Sequence, residues 1–277
     1  MILICEASDK QKIRLSRQHY FDSLSDYLYQ HPQVTLRDLV KVFSEAGFSR
    51  YLEACIEAGL ILREERRYRL ALPVFTREEQ EQIRLSEAVQ STLGAWGKEA
   101  ETIAGIFEEK RIALTENFAP YFVENGTTLL RYSRVADEDL ALCSASVGDL
   151  QEKDLAGYFS ANRIVSEPEV YAPLRRLIGD VDEDYFMQQT GWIVSRVLRG
   201  KKPRDSIFLN ALLMTEIVAE SDGFFLKIPH LIKTDLLESP INRERVTAKS
   251  HFEKICMYSE LCKAYAGGLQ QWLVKIK

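Results

Sequence analysis

Between Leu52 and Leu72 the apolar spacing changes period across a single glycine. Before Gly59, Leu52, Cys55 and Ile56 recur at three and four residues, the repeat of one helical face. After it, Leu60-Ile61-Leu62-Arg63 and Arg67-Tyr68-Arg69-Leu70-Ala71-Leu72 read as two strands, with Glu64-Glu65-Arg66 turning between them and Pro73 ending the second. Two more helix signals stand upstream. Arg17 to Gln30 carries Tyr20, Phe21, Leu24, Tyr27 and Leu28 on one face, and His31-Pro32 ends it, because the residue before proline is steered out of the helical region. Thr35 reads as the N-cap of Leu36 to Phe43, with Asp38 placed for a capping box. Gly47 marks a turn, Ser49 caps a third helix from Arg50 to Ala58, and Gly59 is its C′ glycine.

Three short helices followed by a two-stranded ribbon resemble the winged helix-turn-helix superfamily, and Leu52 to Leu70 resembles its third helix and wing. The stretches Leu15-Ser-Arg-Gln-His-Tyr-Phe-Asp-Ser-Leu, Val34-Thr-Leu-Arg-Asp-Leu and Glu57-Ala-Gly-Leu-Ile-Leu-Arg-Glu-Glu-Arg-Arg-Tyr also resemble an uncharacterised streptococcal family. That family is known only as a domain of unknown function. The resemblance covers the first quarter of the chain. It implies a fold and brings no activity.

A DNA-reading helix of this kind presents its outer residues to base edges while neighbouring cations meet phosphates. The outward positions here are Ser49, Arg50, Glu53, Ala54 and Glu57, which carry two acids and one base. The wing is more basic: Arg63, Arg66, Arg67 and Arg69 stand against Glu64 and Glu65. Lys10, Lys12, Arg14 and Arg17 precede them. Residues 1 to 75 hold 11 Lys plus Arg and 10 Asp plus Glu. The whole chain holds 36 and 41, so the remainder has 25 against 31, a net −6 that outweighs the +1 of the first 75 residues. The nucleic-acid contacts expected are therefore Arg50, Arg63, Arg66, Arg67 and Arg69. Two alternatives stay open. The same surface would dock a protein through Glu53, Glu57 and the exposed helix, or the wing arginines are only solvated.

Beyond Pro73, Thr76-Arg-Glu-Glu79 is a capping box that opens a long amphipathic helix. Its stripe is Ile83, Val89, Leu93, Trp96, Ile103, Ile106 and Phe107, with a bend expected at Gly94 and Gly97. The stripe is either core or a homodimer seam. Thr127 to Val135 reads as a strand after the turn Asn125-Gly126. Helices are expected at 151–161, 168–178, 183–199 and 205–221, a short strand at Phe224 to Ile228, and a last helix from Lys249 to Lys275 interrupted at Gly267-Gly268. The fold class expected is mainly α with minor β: a winged helix over 1–75, then a predominantly helical domain over 76–277 with a small strand component.

Several chemistries are excluded or weakened. Cys5, Cys55, Cys143, Cys256 and Cys262 lack the spacing of a zinc or redox pair, and their odd, scattered set is no disulfide framework. His19, His31, His230 and His251 form no H-x-x-x-H pair, and there is no nucleophile elbow and no phosphate-binding P-loop. Asp137-Glu-Asp139 and Asp180-Val-Asp-Glu-Asp184 are acidic runs, and the second reads as a helix start that favours the dipole. Arg196, Arg199, Lys201, Lys202 and Arg204 cluster around Gly200 as a candidate anion-binding patch, at a helix C-terminus where cations are favoured anyway. Trp192, Phe208, Phe224, Phe225 and Trp272 read as core. No stretch approaches the ~18 apolar residues of a bilayer span, and the start is no signal peptide, so a cytoplasmic protein is expected. No cofactor or metal is implied. The partners this reading allows are duplex DNA, a protein or a second copy of the chain, and no membrane.

Overall fold

Thr35 shows how local chemistry starts a helix in this chain. Its extended backbone ends strand β2 (Val34–Thr35), and its hydroxyl accepts from the Asp38 amide at the start of helix α3 (Leu36–Val42). The Asp38 carboxylate accepts from the Thr35 amide at 3.1 Å, which completes a capping box. The Thr35 hydroxyl also donates to that carboxylate at 2.6 Å, and this bond, with the one from the Thr35 amide, holds the Asp38 carboxyl below its usual range.

The computed structural model describes residues 1–95, 100–163, 168–232, 250–266 and 269–276. They form two compact units, Met1–Gln82 with Thr115–Thr127 and Ile83–Leu114 with Thr128–Lys277.

In the first unit, strand β1 (Ile2–Ile4) is followed by helices α1 (Lys10–Ser16), α2 (Phe21–Gln30), α3 and α4 (Phe48–Glu57). Strands β3 (Ile61–Glu64) and β4 (Arg67–Leu70) then form a hairpin whose turn is Glu65-Arg66. Phe21, Leu24 and Leu28 of α2 pack with Leu39, Leu52, Cys55 and Tyr68 in one core. Helix α4 ends where Gly59 takes a φ of 70°, which a side chain would disfavour. Strands β5 (Val74–Phe75) and β6 (Tyr121–Val123) complete a second sheet in the order β1-β6-β5.

The second unit contains α5's last residues and helices α6 (Glu87–Ala95), α7 (Ala100–Thr115), α8 (Leu155–Arg163), α9 (Ala172–Ile178), α10 (Glu183–Leu198), α11 (Ile207–Met214) and α12 (His251–Ala266), α5 itself being Arg77–Leu85. Its frame is a four-stranded sheet of β7 (Leu130–Ala136), β8 (Leu140–Val147), β11 (His230–Ile232) and β12 (Leu269–Lys275), in the order β11-β12-β8-β7. Strands β9 (Val218–Glu220) and β10 (Phe224–Leu226) form a separate antiparallel pair.

Each face of the four-stranded sheet has its own core. Leu140 and Leu142 of β8 and Leu273 of β12 pack with α8, α9, α10 and α11. Ala141, Cys143, Ala145 and Val147 of β8, with Trp272 and Val274 of β12, pack with α6, α7 and α12. Strand β8 is therefore buried along its whole length. Ser144 lies on the first face, where its hydroxyl donates to Asp154 at 2.6 Å. Asp154 also accepts from the Gly157 amide at 2.7 Å and caps α8. A Cβ on Gly157 would lie 2.4 Å from Asp154 Oδ2 and 2.6 Å from the Tyr171 hydroxyl, so only glycine fits there.

These observations correct the expected fold class. About half of the described residues are helical and a fifth are in strands, arranged in four small sheets, so the strand content is not minor. The winged helix expected at the start is not shown. Its ribbon is part of a three-stranded sheet, β2-β4-β3, and a further sheet recruits residues 121–123. Strand β8 was hidden from a reading by periodicity because both of its faces are buried, and a strand of that kind shows no alternation.

Other elements differ too. The helix expected from Lys249 to Lys275 stops at Ala266, and Leu269–Lys275 is a strand paired with β8. The helix expected over 205–221 ends at Met214, after which Glu216 takes a φ of 58° and β9 begins. The single helix expected after Thr76 is broken at Ser86, although its capping box with Glu79 is present. Of its stripe, Val89, Ile103, Ile106 and Phe107 are core residues, so the stripe faces inward. Trp96, Gly97, Gly267 and Gly268 lie outside the described residues.

Candidate nucleic-acid interface

Helix α4 and the hairpin carry all five expected contact arginines, and all five are exposed. Their surroundings sort them into two groups. Arg63 lies 4.0 Å from Glu53 of α4, and its guanidinium stands 5.6 Å over the Tyr68 ring. Arg69 pairs with Glu64 across the hairpin at 3.2 Å. Arg67 Nη1 donates to the Gln33 carbonyl at 3.1 Å, which ties β4 to the residue before β2. These three side chains support the hairpin. Arg50 and Arg66 have no hydrogen-bond or ion-pair partner among the described residues.

Arg50 stands in the first turn of α4. This helix begins at Phe48 and not at Arg50, and its N-cap is Gly47 with a φ of 100° where Ser49 was expected. It has no side-chain cap and no acid in its first turn. The Phe48 and Tyr51 amides find the carbonyls of Glu45 and Gly47. Among the described residues the amides of Ser49 and Arg50 have no acceptor. An uncapped helix start beside an unpaired arginine offers donors and positive potential to an anion.

Arg66 sits at the tip of the hairpin. Glu65 and Arg66 take φ values of 47° and 62°, so both central residues are left-handed. That is the requirement of the two-residue turn whose twist suits a hairpin, and it favours Asn-Gly. Neither Glu nor Arg has that freedom, and a non-glycine residue held there costs about 1–3 kcal/mol. Replacing Glu65-Arg66 by Asn-Gly is expected to stabilise the first unit by about 1–2 kcal/mol. Urea denaturation of the full chain measures this, and a variant no more stable than the parent refutes the strain.

Residues 2–97 match a family model. Its description is Domain of unknown function (DUF1803). The matched span takes in α1 to α4, the hairpin and all five arginines, and it ends before the four-stranded sheet. No curated protein and no solved structure matches the chain.

The other expected basic cluster lies outside that span. Its members do not act alike. Arg196 Nε and Nη2 donate to the Lys202 carbonyl at 3.0 and 2.9 Å, and the Lys201 amide donates to the Arg196 carbonyl. Arg196 therefore closes the turn at Gly200, whose φ is 65°. Arg199, Lys201, Lys202 and Arg204 are exposed. Of the acidic runs, Asp182 caps α10 by accepting from the Tyr185 amide. Asp137 accepts from the Asp139 and Leu140 amides at 2.8 Å each and shapes the turn between β7 and β8. The five cysteines are free thiols, and no cluster of metal-ligating side chains occurs among the described residues. No described helix is long and apolar enough to cross a membrane.

Two aromatics expected in the core are not there. Trp192 is 66% exposed, and Phe225 is 48% exposed, while Trp272 is fully buried. The residues three and four positions from Trp192 on α10 are Gln188, Gln189, Ser195 and Arg196, so its helical face carries no apolar stripe.

Proposed function

We propose that the first unit binds duplex DNA through phosphate contacts made by Arg50, the start of α4 and Arg66. The observation that supports this is the pairing of an uncapped helix start with two exposed arginines whose side chains no described residue engages. Backbone amides at a helix start and arginine side chains are the groups that grip phosphates. Arg63, Arg67 and Arg69 serve the interface indirectly by holding the hairpin in register.

Fluorescence anisotropy of a mixed-sequence duplex across a salt series tests the proposal. Binding is expected at low salt and should fall steeply as salt rises. Arg50→Ala and Arg66→Ala are each expected to lower the slope of log affinity against log salt by about one. Absence of binding at low salt removes the proposal. The Asn-Gly hairpin variant separates stability from contact, because it should be more stable than the parent yet bind DNA as weakly as Arg66→Ala.

A protein partner is the second reading, and one observation favours it. Leu36 and Val40 are each 44% exposed, one turn apart on α3, beside Arg37 and Lys41. Two acids, Glu53 and Glu57, face outward on α4. A partner bound there would be lost on Leu36→Asp, while affinity for DNA would persist.

A further inference from the structure

The second unit contains a cleft of about 720 Å³, within the ~300–1,000 Å³ range of small-molecule sites. The pairing register explains its floor. Ile232, Lys275 and Leu140 stand side by side across β11, β12 and β8, and His230 stands one register step away beside Leu273. They continue the sheet face whose Leu142 and Leu273 pack against the helices. Beside them the sheet face is open among the described residues. Trp192 of α10 and Arg199, the C-cap that follows it, form the wall, and the turn from β7 to β8 forms the rim with Asp139.

Four features of the cleft belong together. Trp192 presents a large aromatic surface to solvent, which is unusual for a side chain that is highly buried on average. Arg199 and Lys275 line the same cleft, and neither side chain has a hydrogen-bond or ion-pair partner among the described residues. Asp139 is exposed at the rim, and its carboxylate is a bare acceptor, whereas that of Asp137 is taken up by the turn. His230 is half-buried, and burial together with nearby Lys275 favours its neutral form, so it keeps one donor and one acceptor nitrogen.

We propose that this cleft binds a ribonucleotide, with the base stacked on Trp192, the phosphate on Lys275 and Arg199, and the ribose hydroxyls on Asp139. A planar ring, an anion and vicinal hydroxyl donors occur together in that ligand, and each meets the group that suits it. Base stacking on an aromatic side chain is sequence-tolerant, because every base has a π-face. Arginine and lysine hold phosphate by a planar fork and a point charge. A carboxylate accepts from ribose hydroxyls as it does in dinucleotide sites. This assignment does not rest on the DNA reading, since the residues are in the other unit.

Isothermal titration of the full chain with each of the four ribonucleoside 5′-monophosphates tests it, with the matching nucleosides and inorganic phosphate as controls. At least one nucleotide should saturate the protein, and its nucleoside should bind at least about tenfold more weakly, the worth of one charge-assisted contact. Trp192→Ala and Lys275→Ala should each weaken the nucleotide by about tenfold or more with an unchanged melting temperature, because both side chains are exposed. No heat with any nucleotide overturns the assignment. So does an affinity that both variants leave intact. Inorganic phosphate that binds as tightly as the nucleotide also overturns it, since the cleft would then hold an anion alone.

Discussion

Asp154→Ala is expected to destabilise the protein by about 2–5 kcal/mol, while Asp154→Asn is expected to be far milder. The carboxylate is 2% exposed and accepts from the Ser144 hydroxyl and the Gly157 amide, so alanine strands two buried donors and removes the cap of α8. Asparagine retains an acceptor oxygen for both. The two variants also separate bonding from charge. Burial raises the Asp154 carboxyl above its usual range, against the opposing bonds from Ser144 and Gly157. A carboxyl raised in the folded state favours folding most below its unfolded pKa of about 4, and that contribution is lost as pH rises through the folded value. The stability of the parent relative to Asp154→Asn should therefore fall as pH rises from about 4 toward neutrality. Urea titrations of both proteins across that window measure the difference. A difference that grows with pH would mean that the carboxylate is stabilised in place as an anion, and the assignment of burial as the dominant cause would fail.

Trp272→Ala should remove about 3–5 kcal/mol, the usual loss for a large aromatic in a core. Trp272 is fully buried opposite Cys143, with Phe107 stacked at 5.7 Å and an interplanar angle of 18°, and with Tyr132 tilted at 5.9 Å. Its ring thus joins β12 to β7 and α7. The indole Nε1 is buried without an acceptor among the described residues. Phenylalanine keeps much of the ring contact and deletes that unsatisfied donor, so Trp272→Phe should lose only about 1–2 kcal/mol. Equilibrium denaturation followed by circular dichroism measures both. A loss below about 1 kcal/mol for the alanine variant would show that this face of the sheet is not the packed core described.

The first unit was more legible than the second because its signals are local. A capping box depends on residues three apart, and Thr35 with Asp38 forms one where the sequence indicates it. The C′ glycine Gly59 and the hairpin turn before Arg67 are likewise decided within a few residues. The start of α4 was misread by two positions because Gly47 in a left-handed conformation precedes the helix without a side-chain cap, and Ser49 lies inside it. That difference matters for the proposed interface, since it leaves the Ser49 and Arg50 amides open. The arginines themselves could be named from the sequence. Which were engaged by Glu53, Glu64 and Gln33 could not, because those partners are set by the packing of α4 and β2 beside the hairpin.

In the second unit the decisive contacts are long in sequence. Strand β12 pairs with β8 across more than a hundred residues, and its Leu269-Gln270-Gln271-Trp272 run has no strand signature of its own. Trp192 is 66% exposed on α10, which the apolar content of that helix did not foretell.

By itself the sequence determined the elements whose causes are local: the caps of α3 and α5, the glycine that ends α4, the hairpin after it and the basic character of that hairpin. Tertiary structure alone decided the four-stranded sheet, the two cores on its faces, the division of the arginines into supporting and free, and the cleft beside Trp192. The physical reason is that local signals report what a segment does to its own backbone, whereas burial on both faces of a strand erases the periodicity that would announce it.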